Sequence, residues 1–112
     1  RVFMAALIVY MTAGSREEAE KIGATLIERR LAACVNVLGE IDSMFRWKGE
    51  VQKETEVALI AKTQGARLDE LTAAVREVHS YDEPCVVAYE LVGGSRSFLE
   101  WIESETSKSM LA

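Results

Sequence analysis

The chain has 112 residues, 49 % of them hydrophobic and 28 % charged, a balance that supports one folded domain and argues against disorder. Its net charge is −5 and its 13 Lys and Arg are scattered, which argues against a nucleic-acid partner, since phosphate binding needs a concentrated basic face. No apolar stretch approaches the roughly 20 residues of a membrane span, and the lead from Arg1 to Ala5 is too short for a secretory signal, with Met4 reading as a natural start.

A soluble, cytoplasmic protein is therefore expected, with no membrane partner. Cys34 and Cys85 stand far apart, form no CxxC pair and are expected to be reduced. Residues 5 to 12 are a continuous apolar run rich in β-formers, the pattern of a central strand buried on both faces. Ala13-Gly14 breaks it. Ser15-Arg16-Glu17-Glu18 then matches a capping box, a hydroxyl followed three residues on by a carboxylate. Ala19, Ile22, Gly23, Leu26 and Ile27 follow at helical spacing, with acids early and Arg29-Arg30 late, as the helix dipole favours.

Residues 33 to 48 read as a long second strand, in which Gly39 marks a bulge that shifts the register. Lys48-Gly49 is a hairpin signal, and Val51 to Thr63 returns as the third strand. Leu68, Leu71, Val75 and Val78 define one face of a second helix. A fourth strand runs from Cys85 to Val92, Gly93-Gly94 closes it, and Ser95 or Ser97 caps a last helix bearing Phe98, Leu99, Trp101 and Ile102. The order β-α-β-β-α-β plus a terminal helix implies an α+β, ferredoxin-like split βαβ fold. It has an antiparallel sheet, a long hairpin between strands two and three, and a core from about residue 5 to 104 of a single domain over 1–112.

Lengths carry a further implication. Two strands of about 15 residues make a hairpin on the order of 50 Å long at ~3.3 Å per residue. A helix of about 15 residues covers only about 22 Å. The far end, with Ile41, Met44, Phe45, Trp47 and Val51, is left uncovered, and long edge strands are sticky. Neighbouring subunits are expected to cover it. The alternative is that Gly39 ends the second strand early and the remainder is loop.

Three segments on this topology carry a resemblance: Glu28-Arg29-Arg30-Leu31-Ala32-Ala33-Cys34-Val35-Asn36-Val37; Phe45-Arg46-Trp47-Lys48-Gly49-Glu50-Val51 with the following Glu56 to Thr63; and Val78-His79-Ser80-Tyr81-Asp82-Glu83-Pro84. Together with Phe98-Leu99-Glu100-Trp101-Ile102, they are similar to the CutA family of divalent-cation tolerance proteins from about residue 5 to 103. The resemblance implies a cytoplasmic homotrimer of ferredoxin-like subunits with a role in the response to metal ions, similar in form to the PII signalling proteins. It also implies a cleft between subunits, near the His79 loop and the second-strand residues. Four departures stand out: Ser80 where the family usually has Pro, Cys85 where an acid is common, Met11 for the Cys and Val78 for the second His associated with copper in some members.

His79, the sole histidine, is the candidate metal ligand, for copper in particular. The blander reading is a structural His hydrogen-bonded in a loop. A metal needs two or three further donors, for which Met11, Cys34, Glu83 and Cys85 are available, and no zinc signature is present. Cys34 and Asn36 share one face of the second strand, and Asn36 needs a partner there. Cys34, Asn36, Lys62, Tyr81 and Glu83 are the candidate ligand-cleft residues, for a metal ion or a small anion. Trp47 and Trp101 are expected as interface or core aromatics. The Thr12-Ala13-Gly14-Ser15-Arg16 turn is a weak phosphate cradle, and strand one holds a single aromatic, Tyr10, where an RNA-recognition module would show several with basic flanks. No enzyme, required cofactor or catalytic residue is expected. Two classes remain: a homotrimeric binding and signalling module, and a structural trimer that binds neither metal nor ligand.

Overall fold

Eight elements follow one another in the computed structural model, which describes residues 5–107. They are β1 (Ala6–Ala13), α1 (Arg16–Glu28), β2 (Cys34–Trp47), β3 (Glu50–Gln64), a 3-10 turn (Gly65–Arg67), α2 (Leu68–Val78), β4 (Val86–Glu90) and α3 (Arg96–Glu105). The 3-10 turn is an addition to the expected order, and the reading of Met4 lies outside the described residues. The strands form one antiparallel sheet in the order β2-β3-β1-β4, the ferredoxin-like arrangement.

Alternation along β1 places the core. Val9, Met11 and Ala13 are fully buried and pack with Ile22 and Leu26 of α1 and with Leu71 and Val75 of α2. Both helices therefore cover the same sheet face, and each large side chain they bury contributes about 1.5–3 kcal/mol. On the other face Tyr10 lies between Ile60 and Val87 in register, and Ile8 is paired with Tyr89. Val87 and Tyr89 are exposed.

Local chemistry sets the boundaries. The Ser15 hydroxyl accepts from the Glu18 N–H and starts α1 as expected. The return half of the capping box differs: the Glu18 carboxylate accepts from the N–H of Gly14 and of Ser80 instead of Ser15. The α1 helix also stops sooner than expected, with Arg29 as its C-cap and Arg30 at φ +56°, so no basic residue lies in its last turn. Between Val37 and Gly39 the β2–β3 register shifts, with Gly39 at φ +123°, as the bulge reading requires. Lys48 and Gly49 both have positive φ, the signature of a two-residue type I′ hairpin turn. β4 is shorter than expected: its ladder with β1 runs from Val86 to Glu90, Leu91 still donates to Ala6, and Val92 beyond it is fully solvated.

The length mismatch persists in three dimensions. The described chain measures 46 × 28 × 23 Å, while the 13 residues of α1 span about 20 Å. Strand β2 continues through Gly39 to Trp47, so the hairpin is a full-length arm. Met44 and Val51 on it are 74 % and 71 % exposed. Trp47 and Trp101 are half-exposed and lie outside the core.

Candidate functional site

Along the arm, from Glu56 to Trp47 beside the turn, three elements converge. The end of β1 supplies Tyr10 and Thr12, the arm supplies Ser43, Met44, Phe45, Trp47, Glu54 and Glu56, and the loop after α2 supplies Tyr81, Asp82, Glu83 and Cys85. They enclose an open cleft of about 530 Å³, a size that suits a small ligand. No Lys, Arg or His lines it, and four carboxylates do.

The loop is held by an interlocked set of polar contacts. The His79 side chain is fully buried. Its Nε2 lies 2.7 Å from the Thr12 carbonyl oxygen, and its Nδ1 accepts from the Tyr81 N–H at 3.1 Å. A carbonyl oxygen can only accept and a backbone N–H can only donate, so the ring is the neutral Nε2–H tautomer. The Tyr81 hydroxyl then donates to Glu56 Oε2 at 2.9 Å. Glu18 braces the loop from α1: it accepts from the N–H of Ser80 at 2.7 Å and lies 3.9 Å from His79 Nδ1. Burial works to raise the Glu18 carboxyl, but the hydrogen bonds from Gly14 and Ser80 outweigh it and hold it below the usual range.

The cleft electrostatics follow from the same carboxylates. Burial, then the hydrogen bond to Glu56, then the charges of Glu56, Glu18 and Glu54 push the Tyr81 phenol far up. Burial, followed by Cys85, Glu56 and Tyr89, pushes Tyr10 up. Burial and then Glu56 raise the Cys85 thiol. At neutral pH the cleft thus presents hydroxyl and thiol donors beside fixed negative charge.

The sequence-derived cleft residues divide into two groups. Cys34 faces Lys62 directly across the β2–β3 ladder. The Lys62 ammonium lies 2.9 Å from Asn36 Oδ1 and 3.8 Å from Cys34 Sγ, so the partner that Asn36 needs is Lys62. Tyr81 and Glu83 line the cleft, where Glu83 also pairs with Arg76 at 3.2 Å. Lys62 lies six residues along β3 from Glu56, about 20 Å at ~3.3 Å per residue, so within one protomer the two groups are separate. Among the described residues no three His, Cys, Asp or Glu are grouped to hold a metal ion, and both nitrogens of His79 are engaged. Both cysteines are free and half-buried. Glu54, Glu56 and Tyr10 were not singled out from sequence for the cleft; the available signal was two acids spaced by two in a β-forming run, which places both on one strand face.

No helix among the described residues is long and apolar enough to cross a membrane. The chain is 40 % identical over 100 residues to the chloroplastic protein CutA of Arabidopsis thaliana, an alignment covering 89 % of this chain and 55 % of that protein. It spans little more than half the length of that relative. To the divalent-cation tolerance protein CutA of Archaeoglobus fulgidus it is 43 % identical over 95 residues, 85 % of this chain and 92 % of that one. The solved structure of the periplasmic divalent cation tolerance protein CutA from Archaeoglobus fulgidus superposes with a TM-score of 0.87 at 40 % identity, covering 91 % of this chain and 99 % of that one. Residues 7–105 match the family model for the CutA1 divalent ion tolerance protein, and the chain belongs to that family.

Proposed function

We propose that this chain works as a homotrimeric binding and signalling module in the response to divalent cations, without catalytic activity of its own, and takes a small ligand in clefts along its hairpin arms. The observation that carries the proposal is the arm itself. It projects beyond the helices with Met44 and Val51 exposed, and the cleft runs along it, with Met44 in its lining. Apolar side chains in that number are stable in water when a neighbouring copy covers them. The names of the relatives supply the link to divalent cations. Cytoplasmic residence belongs to the same proposal, supported by the two free thiols, although relatives bear chloroplastic and periplasmic names.

A second reading has its own support: the trimer is structural, and its effect on metal tolerance is indirect. It is favoured by His79, the candidate copper ligand, whose ring must surrender a hydrogen bond to Thr12 or Tyr81 before it binds a metal.

Native mass spectrometry, with and without modest excess Cu²⁺ or Zn²⁺, separates these readings. A trimer is expected, and Met44→Glu with Val51→Glu is expected to dissociate it. A wild-type monomer overturns the proposal. Metal uptake of about one per subunit that His79→Ala abolishes supports a metal site. No thermal shift with any metal or small molecule supports the structural reading, because a ligand at ten times its Kd adds about 1.4 kcal/mol per site.

A further inference from the structure

We infer that Glu56 takes its counter-ion from a second copy of the chain, Lys62 of the partner subunit, so that the charge of the cleft is balanced only in the assembly; this rests on the chain assembling with copies of itself, as proposed above. Two charged side chains on the sheet face that the helices leave bare have no charged partner. Glu56 is only 8 % exposed, and the Tyr81 hydroxyl that donates to it is neutral. Lys62 is half-buried, and its ammonium meets Asn36 Oδ1 and Cys34 Sγ. Neither enters an ion pair among the described residues. An ammonium has three N–H donors, so Lys62 keeps one for a carboxylate. Withdrawing either charge from water without a counter-ion is costly.

The two charges cannot meet within one chain. Both point to the face of β3 that carries Ile60, and they stand about 20 Å apart at ~3.3 Å per residue. Between them the face is apolar: Tyr10 and Ile60 are paired at its centre, and Val87 and Tyr89 beside them are exposed. An apolar strip with an acid at one end and a base at the other is complementary to a second copy of itself. Its acidic end runs on through Glu54 into the arm, where Met44 and Val51 are the exposed side chains that a neighbour covers. One docking thus covers the arm and supplies the missing cation. Arg29, Arg30, Arg67 and Arg76 are already paired with carboxylates of their own chain, and Lys62 is the one cation on this face of β3. In a closed ring of three, each copy gives its lysine to one neighbour and receives a lysine at Glu56 from the other, as head-to-tail contacts allow.

The test has two readouts on the intact protein. A carbodiimide joins an amine to a carboxylate only where the two are in direct contact. It is expected to give covalent dimers and trimers whose peptide map shows Lys62 amide-linked to Glu56. Lys62→Arg, which keeps the charge, is expected to abolish that link while native mass spectrometry still shows the trimer. Subunit exchange between ¹⁴N- and ¹⁵N-labelled protein is expected to be about tenfold faster in Lys62→Gln, since loss of one partner of a buried charge pair speeds dissociation. Lys62 lies far from the loop that carries Tyr81, so this variant reports on the pair even if Glu56→Gln loosens that loop. Adding Glu56→Gln to Lys62→Gln is expected to speed exchange by much less than Glu56→Gln does alone. A trimer in which no link joins residues 62 and 56, or in which the two substitutions act additively, overturns the inference and leaves the assembly standing. A wild-type monomer overturns both.

Discussion

The ring of His79 bridges two backbone groups from different elements: Nε2–H donates to the Thr12 carbonyl at the end of β1, and Nδ1 accepts from the Tyr81 N–H. This one side chain fixes the loop that carries Tyr81 into the cleft. Removing it strands a carbonyl and an N–H and opens a cavity. His79→Ala is expected to lower stability by about 2–4 kcal/mol, measured by chemical denaturation. Long-range ¹H–¹⁵N spectra should show the Nε2–H tautomer; an Nδ1–H pattern contradicts the assignment.

Glu18 gives the loop a pH dependence with a definite sign. Its carboxyl is held below the ordinary value of 4.5 in the folded chain. The stability it contributes is therefore present above the unfolded value and is lost as pH falls through the folded one. At neutral pH Glu18→Gln is expected to cost about 1–2 kcal/mol, the scale of charge-assisted bonds to two N–H groups in a partly exposed site. The gap between wild type and variant should close as pH falls below about 4.5, and a gap unchanged at about pH 3 argues against this role.

Gly23 on α1 meets Val35 on β2. A Cβ at position 23 would sit 3.0 Å from Val35 Cγ1. Alanine gains about 1 kcal/mol of helix propensity over glycine, but overpacking costs about 1–3 kcal/mol. Gly23→Ala is expected to be net destabilising by about 1 kcal/mol. Adding Val35→Ala removes the overlap, so the double variant should be more stable than the sum of the singles predicts. Simple additivity in denaturation experiments would show that the helix shifts instead.

Cys85 reports on the charge of the cleft. Burial and then Glu56 raise its thiol, so less thiolate is available at neutral pH. Iodoacetamide should label Cys85 slowly, followed by mass spectrometry with Cys34 as the internal reference. Glu56→Gln is expected to speed labelling about threefold, a partial gain because burial remains. An unchanged rate would show that the Glu56 charge does not reach the thiol.

Much of the fold is legible in the sequence because its determinants are local. The Ser15 cap, the Gly39 bulge and the Lys48-Gly49 turn each depend on a few neighbouring residues and a backbone torsion. A continuous apolar run located β1, and helical periodicity α1 and α2, for the same reason. Boundaries were less legible where a partner decides them: β4 ends at Glu90, where its ladder with β1 ends, and no residue near position 90 records that. The shared face of Cys34 and Asn36 follows from alternation alone, but their bond to Lys62 depends on the β2–β3 register.

By itself the sequence determined the order of elements, the ferredoxin-like topology and the family to which the chain belongs, since side-chain periodicity, caps and turns act over one to four residues. Tertiary structure decided which polar groups meet. It sent the Glu18 carboxylate across 62 residues to Ser80, turned both nitrogens of His79 to backbone partners, and separated Lys62 from Glu56, the partner of Tyr81, along β3. It also gathered Tyr10, Glu56 and Tyr81 around one cleft. Those encounters are set by strand register and loop closure, which bring distant segments within hydrogen-bond range and so create a buried negative field that no short stretch of the chain contains.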